Sequence, residues 1–171
     1  KPTPLSSIPS TIVVPPLPPP APRPVPSYPE SEIAKLRKPC KIVHDVLLGI
    51  GDIIKPGITT EEIDRYVHDM IVARGAYPSP LNYRGFPKSS CTSINQVVCH
   101  GIPDDVPLED GDMINVDVSC YLHGYHGDAS RMYSVGTLDE AGDKLIRVTK
   151  QCMDEAIAAC APGVNITVIG D

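Results

Sequence analysis

Apolar residues return at helical spacing over 31–54. Ile33, Leu36, Cys40, Val43, Leu47, Ile50 and Ile54 fall on one face of a 3.6-residue period. Pro39 lies inside this run and has no N–H, so it is expected to kink or restart the helix. The Pro-Gly pair at 56–57 ends it. Thr59, with Glu62 three positions on, forms a capping-box pattern for a helix through about Arg74. Its apolar stripe is Ile63, Tyr66, Val67, Met70 and Ile71.

The pattern changes at Tyr77. YPSPLNYRGFPKSSCTSINQVVCHGIP (77–103) mixes Pro, Ser, Gly and Asn with short apolar runs and reads as loops and short strands. MINVDVSCY (113–121) then alternates with period two, and GYHGDASRMYSVG (124–136) reads as its antiparallel partner, with LHG as the turn. Residues 137–163 return to helical spacing. Asp139 is the expected N-cap, Leu145, Val148, Cys152, Ala156 and Cys160 share one face, and the Pro-Gly pair at 162–163 is the stop. NITVIGD (165–171) reads as the start of a further element that has been cut off. Helices and strands in this order indicate an α/β (α+β) chain.

Composition changes this picture at one end. Twelve of the twenty prolines lie in residues 1–29, which carry no acidic residue. Such a segment favours polyproline II or disorder over a core. Two domains follow: a proline-rich leader or linker over 1–29 and a globular part over 30–171. A first residue other than Met is read as a processed or cut N-terminus. The leader fits the tail of an organellar transit peptide, a linker, or a proline motif for a partner.

The 171 residues carry a formal net charge of −6, which argues against a broad nucleic-acid surface. No apolar run approaches the ~20 residues of a membrane span. The six cysteines include no C-x-x-C, and they are expected to be reduced and mostly buried.

The candidate chemistry lies in 114–130. Asn115, Asp117 and Ser119 share one strand face. A two-residue turn at Leu122–His123 would set Asp117 opposite Asp128, and a three-residue LHG turn would move Asp128 to the other face. Carboxylates side by side repel, and a divalent cation between them would remove the conflict. Both could equally be solvated. His100 follows an apolar run and precedes a Gly-x-Pro turn, which suits a loop at a ligand mouth. His123 and His126 are expected to be exposed, and His44 and His68 structural or on the surface.

Three stretches together resemble type I methionine aminopeptidases: KPG-x-T-TEEID at 55–64, NYRGFPKSSCTSINQVVCHGIPDD at 82–105 and PLEDGDMINVDVSCYLHGYHGDASRMYSVG at 107–136. AYPSPLNY (76–83) and the proline-rich leader look most like mitochondrial members. The likeness implies the N-terminal half of the pita-bread fold, two similar α/β halves around a dinuclear metal site. It implies that Asp117 is a bidentate ligand of one metal and that Asp128 bridges both. The two divalent ions would be Co²⁺, Mn²⁺, Fe²⁺ or Zn²⁺, supplying the attacking water and stabilising the oxyanion.

By the same likeness His100 is the catalytic and substrate-contacting histidine. Tyr83, Phe86 and Cys91 line the methionine pocket, and the carbonyls of Asn95 and Val97 hold a monovalent cation. The implied activity is removal of the initiator Met from nascent proteins with a small second residue. The implied partners are nascent polypeptide N-termini and the ribosome, with no direct nucleic-acid contact and no membrane. The implied location is the mitochondrion or another organelle, with the cytoplasm as alternative.

Arg84 and Ala129 depart from the usual residues at those positions. The family's remaining ligands, one His and two Glu, have no counterpart here. The chain is therefore expected to be a C-terminally truncated domain, inactive alone. An Xaa-Pro aminopeptidase-like peptidase and a non-catalytic binding protein on the same fold are the alternatives.

Overall fold

The computed structural model describes residues 7–17 and 27–170. Most of the proline run at 15–26 lies outside the described residues, as does Asp171. Helix α1 spans Glu30–Ile50 and α2 spans Thr60–Val72. Four strands follow: β1 (Tyr77–Pro78), β2 (Cys91–Ile94), β3 (Met113–Leu122) and β4 (Tyr125–Ser134). Helix α3 covers Glu140–Ala159, and a short 3-10 turn covers Ile166–Ile169. The fold is α/β, with one antiparallel sheet flanked by helices.

Strand β3 is the centre of the sheet. Strand β4 pairs with it along one edge over ten residues. Strands β1 and β2 lie end to end along its other edge, β1 at Cys120–Tyr121 and β2 at Ile114–Asp117. The period-two pattern of β3 divides its side chains. Ile114, Val116, Val118 and Cys120 are wholly buried, in one core with Val43, Val46 and Ile50 of α1 and Ile63, Val67 and Ile71 of α2. Each such aliphatic side chain contributes about 1.5–3 kcal/mol on burial. Asn115, Asp117 and Ser119 point to the opposite face and are half-buried.

The hairpin turn corrects the expected register. Leu122 pairs with Tyr125, so the turn is the two residues His123–Gly124, neither Leu122–His123 nor the three-residue LHG. Both residues have positive φ (50° and 97°), as a type I′ turn requires. Asp117 therefore sits opposite Ser130, and Asp128 opposite Ser119. The two carboxylates stay on one face, as diagonal neighbours instead of direct partners.

Helix α1 runs unbroken through Pro39. Its buried stripe uses Pro39 and Ile42 where the spacing suggested Cys40, which is exposed. The reason is the approach of β4. A Cβ on Gly127 would lie 2.4 Å from the Pro39 carbonyl carbon, so a glycine here lets the strand touch the helix backbone. The Cys120 thiol donates to the Pro39 carbonyl at 3.4 Å. The cysteines are all free but not mostly buried: Cys91 and Cys120 are, whereas Cys40, Cys99, Cys152 and Cys160 are exposed.

Two further expectations change. Ile12, within the proline-rich segment, is only 8% exposed and packs on Tyr77 and Leu81, so part of the segment joins a small second core. Helix α3 has its expected cap, Asp139 accepting from the Gly142 amide at 2.7 Å, but its apolar stripe is uncovered. Leu145 is 58% exposed, and Gly142 is its only buried residue.

Candidate metal centre

A cavity of about 940 Å³ opens over the polar face of the hairpin. Strand β3 supplies Asp117 and Ser119, and β4 supplies His126 and Asp128. Cys91 enters from β2 and His100 from the loop after it. Tyr83, Arg84 and Phe86 come from the loop after β1. The structure thus gathers six of the eight sequence-derived site residues around one space.

Asn95 and Val97 lie apart from this lining, in the turn that follows β2. Asn95 holds that turn to β3: its Oδ1 accepts from the Met113 amide at 3.0 Å and its Nδ2 donates to Asp112 at 2.8 Å. The Val97 amide donates to the Ile94 carbonyl at 2.9 Å.

The electrostatics centre on Asp117. Burial raises its pKa above the usual carboxylate range, the Asp128 charge raises it further, and His100 opposes both. Asp128 accepts a short hydrogen bond from the Ser119 hydroxyl directly across the hairpin. Cys91 is opposite Asp117 on the other edge of β3. Burial and then the Asp117 charge push its thiol up to about 11, so at neutral pH it is a neutral, apolar piece of wall and not a nucleophile.

Strand β2 is anchored from below by a polar cluster that periodicity does not reveal. Asp64 on α2 is 1% exposed. Its Oδ1 accepts from the Ser89 amide at 2.9 Å, the Ser90 amide at 2.8 Å and the Ser90 hydroxyl at 2.8 Å. His68, one turn on, meets the Ser89 hydroxyl at 2.8 Å through Nδ1. Lys88 is buried against Glu61. These bonds fix the two residues before Cys91 and so fix its register against Asp117. Three donors on one carboxylate offset much of the cost of burying it, although burial still raises its pKa. Asp64 lies within the helical stripe at a position a surface residue would also fill, so only the run of small polar residues at 89–90 hinted at a partner.

The cavity rim is held in sparsely populated backbone conformations. Asn82 and Arg84 have φ of 63° and 49°, and His100 has φ of 56°. Non-glycine residues in this region cost about 1–3 kcal/mol each and gather at functional sites. The 82–86 loop closes on itself through the Asn82 amide to the Phe86 carbonyl (2.8 Å) and the Phe86 amide to the Tyr83 carbonyl (2.9 Å). The Arg84 guanidinium lies 5.5 Å from the centroid of the Tyr83 ring. The loop carrying His100 is pressed against β2: a Cβ on Gly101 would lie 2.0 Å from the Thr92 carbonyl oxygen.

His126 was expected only as an exposed residue beside the turn. It is exposed, yet it lines the cavity, packs on the Tyr121 ring (4.9 Å between centroids) and meets the Ser79 hydroxyl at 2.8 Å. The period of the strand explains this, since His126 lies two residues before Asp128 and so on the same face of β4.

A divalent cation fits the carboxylate pair. Two hard oxygen donors share one face, and their mutual repulsion is what a cation would relieve. Among the described residues no group of three or more His, Cys, Asp or Glu converges.

A face-sharing carboxylate pair on a β-hairpin, in one cavity with a histidine and an aromatic loop, makes a candidate site for a divalent metal. Residues 34–171 match metallopeptidase family M24, and the chain belongs to that family. It is 54% identical over 142 residues to methionine aminopeptidase 1D, mitochondrial, of Homo sapiens, covering 83% of this chain and 42% of that protein. It is 59% identical over 120 residues to methionine aminopeptidase 1D, chloroplastic/mitochondrial, of Arabidopsis thaliana, covering 70% and 34%. The crystal structure of methionine aminopeptidase from Rickettsia prowazekii superposes with a TM-score of 0.81 at 45% identity, over 84% of this chain and 58% of that one. The chain thus carries part of the pita-bread fold and spans less than half the length of the curated relatives it matches.

Proposed function

We propose that the protein carrying this chain is an organellar methionine aminopeptidase that removes the N-terminal Met from polypeptides with a small second residue. The observation that carries this reading is the placement of Asp117 and Asp128 on one face of the hairpin, at the cavity that also receives His100. The relatives named mitochondrial methionine aminopeptidase support this substrate and this location. Asp117 and Asp128 would hold divalent cations, Co²⁺, Mn²⁺, Fe²⁺ or Zn²⁺, which supply Lewis acidity and an activated water.

The chain's own residues do the rest. Tyr83, Phe86 and Cys91 offer an aromatic and sulfur wall suited to a flexible thioether. The neutral Cys91 thiol keeps that wall from competing for the peptide carbonyl. His100, fixed in its left-handed conformation, presents an imidazole beside Asp117 for contact with the scissile amide. The carbonyls of Asn95 and Val97 would hold a monovalent cation at the β2 turn, outside the cavity.

Two carboxylates alone do not hold two divalent ions firmly, so a polypeptide of these 171 residues is expected to be inactive by itself. Nascent chains emerging from a ribosome are the natural substrates on this reading. The leader at 1–29 and the catalytic domain from 30 remain the proposed division.

The test is Asp117→Asn in the intact protein. Met release from a Met-Ala peptide should fall by on the order of a hundredfold or more, more than outer-sphere partners cost, together with bound metal and without loss of the circular dichroism signal. Near-normal turnover would overturn the ligand assignment.

A further inference from the structure

The proline-rich segment does more than lead into the domain. Ile12 is 8% exposed in a small core with Tyr77 and Leu81, against which Tyr121 also packs. Tyr121 is on the polar face of β3, the face that carries Asp117 and Ser119. From this anchor the chain runs on, and Val14, Pro15, Pro16 and Leu17 line the same cavity as Asp117, Asp128 and His100. Val14 and Leu17 are nonetheless 55% and 77% exposed, so their apolar surface faces open space and not packed protein.

We propose that Val14–Leu17 is a specificity-determining wall of the cleft, which reads peptide side chains downstream of the scissile bond and favours apolar over acidic ones. This rests on the aminopeptidase reading above. At ~3.4 Å per strand residue, Tyr121 lies roughly 7 Å along β3 from Ser119, the partner of Asp128, and roughly 14 Å from Asp117. An aminopeptidase accommodates a single residue before the bond it cuts. The wall is anchored through Ile12 near this end of β3, two to four residues from the carboxylates, and on this proposal it meets the peptide after that bond.

The chemistry of the wall sets what it can read. Pro15 and Pro16 have no N–H, so this segment offers a substrate backbone few of the donors an added strand would use. Recognition falls to the side chains, Val14 and Leu17, which carry no charge and no hydrogen-bonding group. Apolar substrate side chains gain contact there, and acidic ones lose hydration without a partner.

The experiment uses the intact protein loaded with divalent metal and peptides Met-Ala-Xaa-Xaa, with Leu or Asp at the third and fourth positions. A Met-Ala amide, too short to reach the wall, is the internal reference for each variant. In the wild type kcat/KM should favour Leu over Asp by roughly fivefold, the gain from contact with one apolar side chain. Ile12→Asp, which releases the anchor, should bring that ratio below twofold. Val14→Ser with Leu17→Ser should do the same, and these exposed positions cannot unfold the core.

A ratio near one in the wild type, or a ratio unchanged in both variants, would overturn the proposal. Equal acceleration of every substrate by Ile12→Asp would also overturn it, because the segment would then be a block and not a reader. Should no peptide release Met with any divalent metal, the aminopeptidase reading fails. Calorimetric affinities of the same peptides, compared by the same ratios, then decide the wall separately.

Discussion

Helices α1 and α3 carry similar apolar stripes and meet opposite fates. In α1 the stripe is buried, with Val46 and Ile50 wholly inaccessible beneath β3 and β4. In α3 the stripe faces outward, and Leu145, Met153 and Ile157 are each more than half exposed. The helix packs mainly on the 3-10 turn Ile166–Ile169 among the described elements. Periodicity states that a face needs cover; it does not state what supplies the cover. For α1 the supplier is the sheet that carries the carboxylates, so the packing of this helix and the geometry of the site are one problem.

The strongest test of that coupling is Val46→Asp. It places a charge where no water reaches and no cation waits. Burying an unpaired charge should cost more than ~4 kcal/mol, which consumes most of the stability of a domain this size. Loss of the cooperative transition in urea is the expected result. A stable, cooperatively unfolding variant would mean that α1 can part from the sheet without loss of the fold.

Gly127→Ala is next. Its methyl group would meet the Pro39 carbonyl carbon at 2.4 Å, against backbone that cannot rotate away. Overpacking of this kind costs about 3 kcal/mol. Residue 127 precedes Asp128, so the strand shift should also weaken metal binding, measured by titration of the intact protein. Lost stability with unchanged metal affinity would show that α1 supports the hairpin without setting its register.

How much of this was legible in the sequence follows from which interactions are local. The capping box at Thr59 and Glu62 formed as read, with the Glu62 amide donating to Thr59 Oγ1 at 3.1 Å, because all its atoms lie within one turn. The division of β3 into an apolar and a polar face also held, because period two is intrinsic to the strand. The turn is neither of the two alternatives, Leu122–His123 and LHG, but His123–Gly124. His123 accepts positive φ beside Gly124, which no hydrophobic pattern reveals.

The anchoring of Cys91 by Asp64 joins residues 26 apart in sequence, and no local pattern encodes it. Ile12 was hidden for a different reason. A single isoleucine among prolines gives no period, so its burial depends wholly on the Tyr77 and Leu81 surface that the rest of the fold creates. Asp117 and Asp128 were legible as a pair by resemblance, whereas their diagonal arrangement required the register.

The smallest expected effect sharpens the comparison most. Leu145→Asp in this 171-residue chain removes an apolar side chain that is already 58% exposed and adds a charge that water can solvate. Substitutions at such surface positions fall within about ±0.5 kcal/mol, so the urea midpoint should scarcely move. Set beside Val46→Asp, the same chemical change on a similar helical stripe would then differ by several kcal/mol, and cover alone would account for the difference. A loss above ~2 kcal/mol at Leu145 would mean that the α3 face is covered in solution. Urea transitions at two protein concentrations would then show whether a second copy supplies the cover: a midpoint that rises with concentration assigns it to self-association, and an invariant one assigns it to the same chain.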